Sequence, residues 1–368
     1  MEIVTLVLFL VGVVILVLGA ELLVRGASRL AVASGISPLV VGMTVVAYGT
    51  SSPELAIGVG SALAGQTELA LGNVVGSNIA NILLVVGISA LLAPMAVSRR
   101  LVRTDIPVMI GVTLALVILS LDHNLGRVEG LILVLAAVNF TVWSIRQGRQ
   151  ERRTGEEDQS ATAVGSGAKW HLIQGAFVVV GLAMLIAGSQ LVVDGAVWLA
   201  GALGASEIII GLTVVAIGTS LPEVVTSIIA SIRGRIDLAL GNIIGSNVLN
   251  ILAVLGASAA ASPDGVNVAS AVLNFDFPVM TIVAIVCLPI FFTDHFVARW
   301  EGGLLLGYYV AFLVYLVLNA TQHEALPIFN AAMVLFILPL TALTLVVFAA
   351  QALRSSRKDA TVPTGRDS

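Results

Sequence analysis

Apolar runs long enough to cross a bilayer follow one another along almost the whole of this 368-residue chain. A helix needs about 20 mainly apolar residues to traverse ~30 Å of hydrocarbon. Eleven such runs can be drawn, with cores near 3–24, 37–63, 68–92, 105–121, 127–146, 172–193, 206–231, 236–260, 274–293, 301–319 and 326–351. Apolar residues make up 58% of the chain and charged residues 11%, a balance that argues against a surface surrounded by water. The expected class is therefore an all-α integral membrane protein.

Composition then removes several functions. A formal net charge of −4 leaves no basic field, so nucleic-acid partners are excluded. The single cysteine, Cys287, allows neither an intrachain disulfide nor a cysteine-ligated metal. Four histidines without a tract give no ligand set for a resident metal or haem, and no cofactor is expected. A transporter or a channel remains, with the lipid bilayer as its surroundings.

Charge also orients the spans. The first run follows Glu2, where a secretory signal would be positive, and precedes Arg25 and Arg29, so it reads as an uncleaved helix whose N-terminus lies outside. With that assignment every Lys and Arg except Arg127 falls in a cytoplasmic connection or in the tail, as the positive-inside rule requires of a cell-membrane protein with a cytoplasmic C-terminus. Residues 147–168 read as a cytoplasmic linker too short and polar to fold alone. The tail 354–368 is expected to be disordered.

The chain repeats itself. GMTVVAYGTSSPE at 42–54 returns 169 positions later as GLTVVAIGTSLPE, and LGNVVGSNIANILLVVG at 71–87 returns at the same offset as LGNIIGSNVLNILAVLG. Fainter echoes pair Asp105 and Pro107 with Asp276 and Pro278, and Arg127 and Glu129 with Arg299 and Glu301. Residues 1–146 and 169–319 thus read as two five-span halves. Because five is odd, the second half enters from the opposite side, which predicts inverted repeats and alternating access. Residues 320–353 add one further transmembrane helix.

Each GTSxPE segment places a proline and a carboxylate in mid-span, where an unpartnered charge costs several kcal/mol. The proline removes a helical hydrogen bond near Ala47 or Ala216, and Thr50, Ser51 and Glu54, like Thr219, Ser220 and Glu223, lie within a turn of it. Such a cluster of oxygens suits a hard cation such as Ca²⁺ or Na⁺. In the following span Ser77 and Asn81, and likewise Ser246 and Asn250, stand four apart on one helix face and can complete the shell. Gly72, Gly76, Gly241 and Gly245 are expected to let that helix approach its neighbour. Asp105 and Asp276 read as helix N-caps, and His123 and His295 as interfacial residues.

The paired segments GTSSPE…GNVVGSNIAN and GTSLPE…GNIIGSNVLN resemble the two alpha-repeats of the sodium/calcium exchanger family, within the cation/calcium exchanger superfamily. The resemblance covers ten spans. It implies a ten-helix core in which the second, third, seventh and eighth spans surround four ion sites. Glu54 and Glu223 would be the central carboxylates, with Thr50, Ser51, Thr219, Ser220, Ser77 and Ser246 as oxygen ligands. Ala47 and Ala216 would offer backbone carbonyls, and Asn81 and Asn250 an amide pair. Some relatives carry Asp at the position of Asn250, so one charge fewer implies exchange without K⁺. The proton-coupled branch shows GNxxE where this chain has GNVVG and GNIIG, which disfavours proton coupling.

The expected activity is therefore a secondary antiport of Na⁺ against Ca²⁺ by a monomer, with no enzymatic step. A Ca²⁺/H⁺ exchanger using the same carboxylates is the alternative. A passive channel lined by the same oxygens is a third reading, for which an inverted repeat is unnecessary.

Overall fold

The computed structural model describes residues 2–154, 167–292, 295–340 and 342. The expected tail 354–368 and most of the linker 147–168 lie outside the described residues. The helices fall where the apolar runs predict them. Eight are uninterrupted and apolar enough to cross a membrane: α1 (Ile3–Ser34), α4 (Thr67–Leu92), α5 (Leu101–Leu119), α6 (Arg127–Gln150), α7 (Lys169–Ala202), α10 (Ile236–Ala261), α11 (Val272–Phe292) and α12 (Arg299–Ala320). The second and seventh apolar runs are each broken. The second comprises α2 (Pro38–Thr50) and α3 (Ser52–Leu63). The seventh comprises α8 (residues 207–219) and α9 (Leu221–Ile232), with a bend of 62° at the break. A shorter apolar helix, α13 (Leu326–Leu340), closes the described chain.

Helix content here is a matter of solvent as much as propensity, because a backbone in hydrocarbon must satisfy its own hydrogen bonds. Lipid gives no hydrophobic drive for helices to associate, so packing depends on close approach of small residues. Along α1 and α7 glycines recur every seven residues, at Gly12, Gly19 and Gly26 and at Gly181, Gly188 and Gly195. A Cβ on Gly19 would lie 2.9 Å from Gly181 O, and one on Gly188 would lie 3.0 Å from Gly12 O, so the two helices run antiparallel in backbone contact. Helices α10 and α4 form the centre: the most apolar stretch of α10 is 94% buried and that of α4 78%, against 11% for α12.

Pairs of π turns recur at matching positions in the two halves, at Gly42–Val46 and Gly211–Val215, Asn81–Val86 and Asn250–Leu255, and Leu101–Asp105 and Val272–Asp276. Each such turn departs from the i→i−4 ladder, a departure frequent at functional sites. Two short strand pairs join the halves: β1 (Met95–Ala96) pairs with β4 (Phe296–Val297), and β2 (Asn124–Leu125) with β3 (Val266–Asn267), both antiparallel. His123 and His295 occupy the turns before β2 and β4 with φ of 67° and 51°, and their carbonyls accept from Val268 N and Val97 N.

Three expectations are corrected. Asp105 is not an N-cap: the π turn carries the helix through it, its side chain caps nothing, and it sits fully buried 3.4 Å from the Arg100 guanidinium. Asp276 likewise ends a π turn that continues into the next helix. The helix beginning at Arg127 runs to Thr154, past the expected boundary at 146. The close approach expected of four glycines occurs at two. Gly245 packs onto the Met43 backbone and Gly241 onto Leu39, whereas none of the described residues lies within 4 Å of a Cβ on Gly72 or Gly76.

Between α11, α12 and α13 lies a cavity of about 420 Å³, walled by Phe275, Val286, Phe312, Tyr315 and Met333. Tyr308 Oη donates to Ile337 O across its rim at 3.4 Å, and Tyr315 stacks on Phe275.

Candidate functional site

Both breaks obey one local rule. Pro53 and Pro222 cannot continue an i→i−4 ladder, so the chain pauses at Ser51 (φ −81°, ψ 9°) and Ser220 (φ −88°, ψ 6°) and restarts with the proline in the first turn. Glu54 and Glu223 therefore sit in the first turn of α3 and α9, where unpaired N–H groups favour an anion. They are 0% and 1% exposed, which for a carboxylate in mid-membrane demands compensation.

Part of that compensation crosses between the halves. Ser51 Oγ donates to Glu223 Oε1 at 3.0 Å, and Ser220 Oγ to Glu54 Oε1 at 3.5 Å. Ser220 Oγ also lies 3.0 Å from Ser77 Oγ. Thr50 Oγ1 donates to Asn242 Oδ1 at 3.1 Å, and Thr219 Oγ1 to Asn73 Oδ1 at 3.2 Å. Each broken helix is thus tied to the partner half through hydroxyls flanking its break.

What remains uncompensated is informative. Glu54 Oε2, Glu223 Oε2, Ser246 Oγ, Asn250 Oδ1 and both polar atoms of Asn81 are buried without a hydrogen-bond partner. Buried polar groups are normally satisfied, and these six atoms, on residues singled out from the sequence, are among the exceptions here. Five of these six atoms are hard oxygens, on α3, α4, α9 and α10, the donor chemistry of an alkali or alkaline-earth cation. Among the described residues no group of three or more His, Cys, Asp or Glu is placed to hold a metal, so a cation here would depend on hydroxyl, amide and carbonyl oxygens beside the two carboxylates.

The backbone positions need adjustment. Ala47 O keeps its helical bond from Ser51 N at 2.9 Å and also accepts from Thr50 Oγ1 at 3.4 Å, so proline has not freed it, although a carbonyl oxygen has two lone pairs. In the second half Ser220 N turns to Ile217 O at 3.1 Å. Ala216 begins the last helical turn before that break.

Sequence reasoning missed Asn73 and Asn242, which it used only to locate the acid absent at Gly76 and Gly245, and Asn78 and Asn247. Asn242 receives Thr50 and donates to Ser227 Oγ at 3.0 Å. The signal was present, since all four belong to the twice-used LGNxxGSN segment.

Fold and site together define a multi-pass helical membrane protein of the ion-transporter class. The model of the family described as sodium/calcium exchanger protein matches residues 4–146 and 173–318, one segment in each half. The chain is 32% identical over 346 residues to the sodium/calcium exchanger MaX1 of Methanosarcina acetivorans, covering 85% of this chain and 98% of that one. It is 38% identical over 264 residues to the putative antiporter CaxA of Alkalimonas amylolytica, covering 71% and 82%. A solved structure of the sodium-calcium exchanger NCX_Mj, soaked with zero Na⁺ and Ca²⁺, superposes with a TM-score of 0.73 at 28% identity, over 84% of this chain and 98% of the other. This chain belongs to the sodium/calcium exchanger family, a family of membrane antiporters and not of enzymes.

Proposed function

We propose that this protein exchanges Na⁺ for Ca²⁺ across a cell membrane by alternating access. The reading is carried by one observation: two buried glutamates from equivalent positions of the two halves, each bonded to a serine of the other half and each left with an unpartnered oxygen. Glu54 and Glu223 bind the cargo, assisted by Thr50, Ser51, Ser77, Asn81, Thr219, Ser220, Ser246, Asn250 and the carbonyls of Ala47 and Ala216. Two carboxylates offset one Ca²⁺ or two Na⁺, so the ions compete. A third Na⁺ on neutral oxygens leaves the loaded site positive, and its movement is worth about 2.3 kcal/mol per 100 mV.

The ten spans from α1 through α12 form two inverted five-span halves, with α13 as an added span leading to the cytoplasm. The N-terminus is external, as the distribution of Lys and Arg supports, and the working unit is a monomer. Ca²⁺ uptake into proteoliposomes under an imposed Na⁺ gradient, with pH and voltage clamped, tests the reading. Flux driven by a pH gradient and indifferent to Na⁺ would replace it with Ca²⁺/H⁺ exchange, and flux without any counter-ion with a channel.

A further inference from the structure

The two halves share their sequence at the site but not their contacts. In the first half α2 is seated: a Cβ on Gly42 would lie 2.6 Å from Leu238 O, one on Gly245 would lie 2.6 Å from Met43 O, and Val46 is fully buried. In the second half the mirror seam is open among the described residues, with none of them within 4 Å of a Cβ on Gly211, Gly72 or Gly76, and Val215, the repeat mate of Val46, is 43% exposed.

The amides differ in the same sense. Asn250 Nδ2 donates to Asn78 Oδ1 at 3.1 Å, while Asn78 Nδ2 is anchored on Asn247 O at 3.2 Å, with Met280 Sδ at 3.8 Å. This fixes the Asn250 amide with its Oδ1 left over. The mirror bond, from Asn81 to Asn247, is not made. Asn247 Nδ2 instead bonds Ile243 O within its own helix at 2.8 Å, and Asn81 has no partner at either polar atom. All four asparagines are at most 4% exposed, so neither arrangement is softened by solvent.

We propose that Asn78 and Asn247 are alternating positioning residues of the transport cycle. With the α2 seam closed, Asn78 clamps Asn250 and presents its Oδ1 to the cargo while Asn81 is released. With the α8 seam closed, Asn247 leaves Ile243 O and clamps Asn81 while Asn250 is released. An amide has the two ends this requires: the N–H side held by the clamp, the oxygen side offered to a cation. The same ligand pair is thereby held from one half in each state, and the clamp biases which seam is shut.

The inference rests on the alternating-access reading, so the test separates the two. Val215→Cys and Val46→Cys are introduced singly into protein carrying Cys287→Ala, and the labelling rate by a water-soluble maleimide is measured in proteoliposomes. Val215→Cys should label faster than Val46→Cys. Adding Asn78→Ala should slow the first and quicken the second, changing their ratio roughly fivefold, the scale of one lost hydrogen bond. Adding Asn247→Ala should move the ratio the other way. Asn78→Ser, too short to span to Asn250, is the second variant should the alanine fail to fold. Damage to folding alone would quicken both reporters together. If the reporters respond inversely when Na⁺ replaces Ca²⁺ but the asparagine variants leave their ratio unchanged, or shift it in the same direction, the clamp is refuted and alternating access stands. If the reporters never respond inversely in protein with native asparagines, both are refuted.

Discussion

Glu54→Gln tests the charge arithmetic most directly. Glu54 is fully buried, Ser220 Oγ reaches its Oε1 at 3.5 Å, and its Oε2 has no protein partner. Glutamine keeps an oxygen for Ser220 and fills the same volume, so the variant should fold with its thermal transition undiminished. What it loses is one of two charges facing the cargo, and the replacement directs N–H groups toward the cation. Removing one charge of a buried, paired set costs about 3–5 kcal/mol. For Ca²⁺ that raises the half-saturating concentration roughly 150- to 5,000-fold. Coulomb energy scales with the charge of the cargo, so Na⁺ should lose about half as much energy, roughly ten- to fiftyfold in concentration. The assay is radiolabelled Ca²⁺ uptake by proteoliposomes across a range of Ca²⁺ and Na⁺ concentrations. Half-saturation for Ca²⁺ within about threefold of the unmodified protein, or a larger loss for Na⁺ than for Ca²⁺, would refute the reasoning.

Gly245→Ala should destabilise by about 1–3 kcal/mol, because its Cβ meets the Met43 backbone; Gly76→Ala, its repeat mate, has open space and should raise the thermal midpoint yet slow exchange, since the opposite state needs that seam to close. Asn250→Asp sets a carboxylate oxygen against Asn78 Oδ1, which now accepts from the Asn250 amide, so exchange should become sensitive to K⁺ or pH; a K⁺ requirement in the unmodified protein would contradict this. Arg100→Met removes the guanidinium that lies 3.4 Å from the buried Asp105 and should cost about 3–5 kcal/mol, whereas Arg233→Met, breaking an ion pair with Glu21 whose side chains are 60% and 38% exposed, should cost under about 1 kcal/mol in the same thermal assay.

Much of this was legible in the sequence because membrane folding leaves few options. Apolar runs located the helices, although α1 and α7 continue to Ser34 and Ala202, well past the runs ending at 24 and 193, and a proline followed by a carboxylate in mid-span marked both breaks and the candidate site. The side chains that bond across the halves could not be read from one copy alone. Asn73 and Asn242 look like packing residues until Thr219 and Thr50 are seen to donate to them. Asp105 before a proline resembled a cap because a π turn has no local sequence signature. The difference between Gly76 and Gly245 was invisible in principle: on the proposed cycle two copies of one motif describe both members of a conformational pair, and only coordinates say which member occupies which half.

The strand pairs constrain how such a pair can interchange. β1–β4 and β2–β3 lie beyond opposite ends of α5, and each is made from one strand of either half. A frame braced at both ends resists hinging like a clam shell, since opening at either rim would tear main-chain bonds at Val97 or Val268 as well as the strand pairs. Among the described residues no such strand pair reaches α1 or α7, whose mutual contact is a row of glycines against which Phe9, Leu16, Met184 and Leu191 pack. The strand pairs thus make a chassis that keeps its shape at both rims, while α1 and α7 stand outside that bracing.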